Sequence, residues 1–204
     1  MTAVLDKVTA FITRQQRGHT ELLLLRHPFA GNQIPAGTVE PGEALETAVL
    51  REATEETGLT QLSPPIRLGQ HEETLPPKQR VILTTAPVYA RPDTSSFHWA
   101  TLRRGITVAA QRQADGFTQV EYIEHDQLPD PHFITYRILG WVPDETVTAV
   151  RRRTFFHLTC THPTPASWQT TSDNHTFTLF WAALDDLPPI IPPQNKWLQF
   201  LSET

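Results

Sequence analysis

The chain has a single cysteine, Cys160, so no disulfide can close within it; its place in the apolar run FFHLTC marks it as a buried strand residue rather than a nucleophile. A basic excess is also missing. The net charge of -5 and the pI near 6.0 argue against a protein that coats nucleic-acid phosphates, and no helix-turn-helix pattern is visible. No window approaches the roughly 18 consecutive apolar residues that span a bilayer. The opening MTAVLDKVTAFITRQQ lacks a basic n-region, a long apolar core and a small-residue cleavage site, so the expected location is the cytoplasm. Repeats and low-complexity tails are absent. What is present, 204 residues with 39% hydrophobic and 19% charged, is the composition of a soluble globular chain holding one large domain, or one domain with a small second one.

KVTAFITR and ELLLLRH read as strands around the turn QQRGHT, the second too apolar to face water. AGNQIPAG gives a short strand and a turn. A helix is predicted from about Glu43 to Thr57, punctuated by Pro41 and Gly42 before it and by Gly58 after it. IRLGQHEET and RVILTTAPVYA read as strands separated by LPPKQ. From about Ser96 to Asp144 the runs GITVAAQ, FTQVEYIE and ITYRILGWV, with turns at ADG and LPDPH, predict a small all-β unit. RRRTFFHLTC, a polar loop containing Trp168, the strand HTFTLFWAAL and the helical QNKWLQFL complete the chain.

The stretch GTVEPGEALETAVLREATEETGL, Gly37 to Leu59, holds six glutamates in 23 residues. Glu52, Glu55 and Glu56 crowd one helix, where like charges a turn apart repel. The ordinary explanation is a solvated face paired with lysines, yet this helix has no lysine, and Arg51 is its one cation. On the periodicity, Val49, Leu50, Ala53 and Thr57 pack on a sheet and the carboxylates occupy the opposite face. Such a cluster suits a hard divalent cation, which prefers oxygen ligands and completes its shell with water and substrate phosphate.

Gly37, Glu43, Arg51, Glu52, Glu55, Glu56 and Gly58, with Ala53 and Leu59 at the aliphatic places, fit in register the pattern G-x5-E-x7-R-E-U-x-E-E-x-G-U. The segment therefore resembles the Nudix box. The resemblance implies an α/β/α sandwich around a mixed sheet and hydrolysis of a nucleoside diphosphate linked to a further group, with Mg²⁺ or Mn²⁺ as cofactor. It implies Glu52, Glu55, Glu56 and the Gly37 carbonyl as metal ligands, Arg51 as the residue orienting a box glutamate, and Glu43 as support for the loop. Glu52 and Glu55 are the first candidates for the general base; Glu72, Glu73, Glu121 and Glu124 are alternatives best explained as surface charges. Arg26, Lys78 and Arg80 are candidates for phosphate contact.

QIPAG resembles the corresponding stretch of ADP-ribose and nucleotide-sugar pyrophosphatases. Pro76 and Pro77 follow Leu59 at 17 and 18 residues, near a proline found in ADP-ribose enzymes. Markers of the NADH-diphosphatase and coenzyme A types are missing. LRRGITVAAQRQADGFTQVEYIE with GWVP is similar to bacterial SH3-like domains, which implies a Nudix domain in two parts, 1–95 and 145–204, interrupted by an SH3-like insertion at 96–144. Phe117, Tyr122 and Trp141 would form the core of that insertion. It is a candidate for capping the site or for pairing two copies as a homodimer. His98, Trp99 and Trp168 are base-stackers by residue type. The expected partner is a small-molecule nucleotide, with no nucleic acid and no membrane. The alternatives are a catalytically silent nucleotide sensor and an interaction protein acting through the insertion.

Overall fold

The computed structural model describes residues 3–125, 134–172 and 175–202. In chain order the elements begin with strands β1 (Val4–Gln16), β2 (His19–His27), β3 (Gly31–Gln33) and β4 (Ala36–Thr38), helix α1 (Leu45–Thr57) and β5 (Ile66–Thr74). Next come β6 (Gln79–Ile82), β7 (Ala86–Tyr89), β8 (His98–Leu102), β9 (Thr107–Ala114), β10 (Phe117–His125), β11 (Ile134–Pro143) and β12 (Val147–Thr148). The chain ends with β13 (Val150–Thr159), β14 (Ser167–Ser172), β15 (His175–Ala183), a 3-10 turn at Gln194–Leu198 and helix α2 (Gln199–Ser202). It divides into two compact units, Met1–Asp6 with Glu72–Arg152, and Lys7–His71 with Arg153–Thr204.

The unit containing Lys7–His71 is built on the sheet order β14-β15-β2-β1-β13-β5, with β3 beside β2 and β4 beside β1. β1 and β2 form the hairpin read from QQRGHT, and its two-residue loop, Arg17 and Gly18, has positive φ at both positions, the geometry that matches strand twist. Contacts between β1 and β13 advance together: Arg153 Nη1 donates to Thr9 Oγ1, and the Cys160 N–H donates to the Thr13 carbonyl. That is the sense of a parallel pair. The segment leading into β5 runs antiparallel to β13, Leu62 bridging Cys160 and the Ser63 N–H donating to the Thr159 carbonyl, so the sheet is mixed.

Strand alternation explains the apolar run ELLLLRH. Leu23 and Leu25 face a core with Val8, Ala10, Ile12, Phe156, Leu158 and, from α1, Ala48, Val49 and Ala53. Leu22 and Leu24 face the opposite core with Phe11, Phe155 and the C-terminal Trp197, Phe200 and Leu201. Both faces are covered, so every position is apolar. Each fully buried side chain of this kind contributes about 1.5–3 kcal/mol. The result is the α/β/α sandwich around a mixed sheet implied by the box. No described helix is long and apolar enough to cross a membrane.

The other unit carries an antiparallel seven-stranded sheet, β12-β6-β9-β10-β11-β7-β8, around Ile82, Val88, Leu102, Val108, Val120 and Val142. Asp115 and Gly116, both at positive φ, make the tight β9–β10 turn read from ADG; LPDPH lies outside the described residues. Phe117 and Trp141 are buried, and Tyr122 is half-buried against the core. The stretch 96–144 lies wholly within this unit, which extends beyond it on both sides.

Three local readings change. RVILTTAPVYA is two strands, because the chain leaves the ladder after Ile82, where the Leu83 N–H donates to the Thr146 carbonyl, and rejoins the sheet beside β11 as β7. SFHWATL supplies the strand β8 by pairing with β7. The polar loop around Trp168 is the strand β14, in register with β15 from Ser167–Phe180 to Ser172–His175. In all three the partner strand decides, and local composition carries no signal for it.

Candidate active site

The glutamate-rich segment lies entirely in the unit containing Lys7–His71. α1 starts without a side-chain cap at Ala44 and stops at Gly58, whose φ of 75° lies in the left-handed region and whose N–H returns to the Thr54 carbonyl at 2.8 Å. The last turn has no basic residue to offset the negative end of the helix dipole, yet it holds Glu55 and Glu56. A placement this unfavourable to the helix points to a role outside it.

The carboxylates do not share one outward face. On the helix wheel Glu56 and Glu52 stand about 20° and 60° from the buried Val49. The structure turns both inward to the seam between α1 and β4. Strand β4 pairs with β1 along one edge, Lys7 with Thr38 and Thr9 with Ala36. On its other edge the Ala36 N–H donates to Glu56 Oε2 at 2.9 Å and the Thr38 N–H to Glu52 Oε1 at 3.1 Å. The match is metric: four residues of helix rise about 6 Å, and two of strand advance about 6.6 Å. Glu55 alone points outward, its side chain 57% exposed against 15% for Glu52.

Arg51 gathers what remains. Its Nε and Nη2 donate to the two oxygens of Glu43, each at 2.9 Å, its Nη1 to Glu52 Oε1 at 2.9 Å and Glu55 Oε2 at 3.1 Å, and its Nη2 also to the Thr38 carbonyl at 3.1 Å. Glu43 in turn accepts the Glu40 N–H, closing the loop before α1. One guanidinium therefore meets three carboxylates and a strand, and the fourth carboxylate, Glu56, leans on the Ala36 amide.

These bonds separate the proton affinities. The Arg51 fork, more than the Glu40 amide, holds the Glu43 carboxyl below its ordinary range. Burial raises Glu52 above its ordinary value despite Arg51 and the Thr38 amide. The Glu43 bond therefore contributes its stability in full above about pH 4.5 and loses it as pH falls through the depressed value. Glu43→Gln should be less stable than wild type at about pH 6, and the gap should narrow as pH falls below about 4.5 in denaturant melts. A gap that does not narrow would show that the charge of Glu43 is not what matters.

Gly37 is required by space. A Cβ there would fall inside the Glu52 carboxyl group, well under the 3.0 Å that real Cβ contacts respect. Its carbonyl is another matter. Neighbouring residues of a strand present their backbone groups to opposite edges. With the Ala36 and Thr38 amides and the Thr38 carbonyl on the helix side, the Gly37 carbonyl faces β1, opposite Val8. The carbonyls on the carboxylate side of β4 are those of Ala36 and Thr38, and Arg51 takes the Thr38 oxygen, so Ala36 supplies a second backbone oxygen beside the carboxylates.

Among the described residues no three His, Cys, Asp or Glu side chains form a metal cage by themselves. Mg²⁺ does not need one, since it commonly uses one or two carboxylates and takes its other ligands from water and substrate phosphate. Glu52 Oε2 accepts no hydrogen bond among the described residues, and Glu55 and Glu56 follow it in the last turn of α1, so the donor set fits such an ion.

The remaining candidates are engaged elsewhere. Glu73 pairs with Arg151, Glu121 with Arg137, and Glu124 accepts from the Tyr122 hydroxyl; Glu72 and Lys78 are exposed. Arg80 bonds the Gln79 carbonyl. Arg26 bonds Asn32 and lies over the Phe180 ring. Trp168 donates to the Thr57 carbonyl at 2.8 Å and packs near Trp181, which occupies it structurally.

No curated protein matches the sequence. Among solved structures, the NUDIX domain of Shewanella oneidensis NrtR complexed with ADP ribose has a TM-score of 0.51 and 14% identity, over 100% of this chain and 89% of that one. The C. elegans Ap4A hydrolase has a TM-score of 0.47 and 16% identity, over 98% of both chains. The family model for the NUDIX domain matches residues 5–142, a span that includes β4, α1 and the whole box, and the chain belongs to the NUDIX family.

Proposed function

We propose that the protein is a divalent-metal-dependent hydrolase of the phosphoanhydride bond in a nucleoside diphosphate linked to another moiety, with ADP-ribose and nucleotide sugars as the favoured class. The observation that carries the reading is Glu52: one oxygen is anchored by the Thr38 amide and Arg51, and the other accepts no hydrogen bond among the described residues, beside β4. Glu52, Glu56 and the Ala36 carbonyl would hold the cation, with Glu55 in the last turn of the same helix. When bound, the ion neutralises the diphosphate and lowers the pKa of an attacking water. The chain's own residues set the geometry. Arg51 keeps Glu52 from swinging into solvent, and Glu43 keeps Arg51 in place. Burial raises the proton affinity of Glu52 above its ordinary value, and Glu55 is the more accessible; these two are the candidates for the general base. In the same proposal 96–144 is an SH3-like insertion, and the chain works in the cytoplasm.

The test is incubation with ADP-ribose, sugar nucleotides, dinucleoside polyphosphates, NADH and nucleoside triphosphates, each with Mg²⁺ or Mn²⁺, and identification of the phosphate-bearing products. ADP-ribose heads the panel because the S. oneidensis domain, which shares the fold, holds it. Inertness toward every member refutes the reading, and cleavage of triphosphates alone refutes the substrate class. The base is assigned by pH–rate profiles: Glu55→Gln is expected to lose the acidic-limb dependence if Glu55 takes the proton, and to retain it if Glu52 does.

A further inference from the structure

The turn between β2 and β3 holds a ring that the sandwich does not use. Phe29 is 61% exposed and, among the described residues, it is the one exposed Phe, Tyr or Trp in the unit that carries the box. It is nonetheless held in place. His27 Nδ1 accepts both the Phe29 and the Ala30 N–H at 3.1 Å, which fixes that nitrogen as the unprotonated one and pins the turn. The His27 ring stands edge-on to Phe29, with centroids 6.0 Å apart, and to Phe177, at 5.3 Å.

The position of this ring pair follows from the strands. His27 continues the alternation of Leu23 and Leu25, which pack under α1, and Phe177 packs against the same core. The pair therefore stands on the α1 face of the sheet. The α1 end nearest it is the carboxylate end: the Thr57 carbonyl takes the Trp168 indole, Trp168 is opposite Leu179, and Phe177 is the next residue of β15 on that face. From Ala30 the chain needs only residues 31–35 to reach Ala36, whose amide holds Glu56.

We infer that Phe29, backed by His27, is the platform on which the base of the nucleotide stacks, so that the substrate class is one bearing an aromatic base rather than a base-free phosphoanhydride. This rests on the hydrolase reading above. A planar base covers the exposed face, and because the ring is already fixed, little motion is lost when it does so. Stacking of this kind is tolerant of base identity. Discrimination among bases must come from other groups, and the platform supplies affinity.

Steady-state kinetics of the full chain test it, on the nucleotide that wild type cleaves best. Phe29→Ala should raise KM roughly tenfold or more with kcat within about twofold of wild type, as uniform binding is lost. Phe29→Tyr should restore KM, and both variants should melt as wild type does, since the ring is outside the core. An unchanged KM in Phe29→Ala, a kcat loss without a KM change, or a tyrosine variant as impaired as the alanine overturns the inference. If wild type cleaves nothing, the hydrolase reading falls separately, and calorimetric binding of ADP-ribose decides this one: weakening of roughly tenfold in Phe29→Ala upholds the platform, and unaltered or absent binding overturns it.

Discussion

Gly37→Ala should abolish most activity and lower stability together, which single changes at exposed loop residues rarely do. The glycine is not there for an unusual φ. It is there because a methyl group would coincide with the Glu52 carboxyl group. A flexible side-chain end elsewhere would move aside cheaply, but Glu52 is tied to the Thr38 amide and Arg51, and moving it breaks both bonds. Each partly buried bond broken costs about 1–3 kcal/mol. Turnover should fall on the order of 100-fold or more, the scale of losing a preorganised charged group. The control is Gly58→Ala. That glycine has φ 75° with open space around its Cα, so alanine there should cost roughly 1 kcal/mol of strain and leave kcat nearly intact. Measuring melting and turnover of both separates the two uses of glycine. Near-normal turnover in Gly37→Ala would sink the assignment of Glu52 to the site.

The sequence made the box legible because its constraints are local. A helix needs a period and a stop, and Val49, Ala53 and Thr57 with Gly58 supply them. The run ELLLLRH likewise announced a strand covered on both faces. The orientation of the carboxylates was less legible, although the wheel contains it: grouping Glu52, Glu55 and Glu56 by charge hid that two of them stand beside Val49. The role of the Ala36 backbone left no trace, since it depends on which edge of β4 is free. β14 was hidden for a related reason, because SWQTTS becomes a strand only when β15 lies alongside. Phe29, between a proline and an alanine in a turn, reads as loop until its exposure is known.

β4 joins fold and site. An edge strand of three residues exposes amides that must find partners. Here the partners are the side chains that the family pattern assigns to metal. The carboxylates serve first as acceptors that fasten α1 to the sheet. The amides and Arg51 carry part of the compensation for like charges in α1, and in the reading proposed above a cation at Glu52 would carry the rest, so no lysine face is required.

Glu52→Gln separates those two uses and should give the largest change in metal response. Glutamine has the same shape, and its Oε1 can still accept from the Thr38 amide and from Arg51. It carries no charge, so the burial that raises the proton affinity of Glu52 no longer opposes folding. Since Glu52 has its folded pKa raised, its ionised form weakens the fold at any pH above that raised value, and the amide removes the penalty there. The metal-free variant should therefore melt no lower than wild type at neutral pH, each kcal/mol gained raising melting by roughly 2–4 °C for a chain of this length. Saturating Mg²⁺ or Mn²⁺ should raise wild-type melting by mass action, because only the folded chain presents the seam. In the variant that rise should shrink sharply, and turnover should fall about 100-fold or more. Thermal melts of both proteins in chelator and in saturating metal read all of this. An equal metal-induced rise in the two proteins would remove Glu52 from the metal site. A large loss of metal-free stability would instead show that the charge of Glu52, through Arg51, is needed by the fold itself.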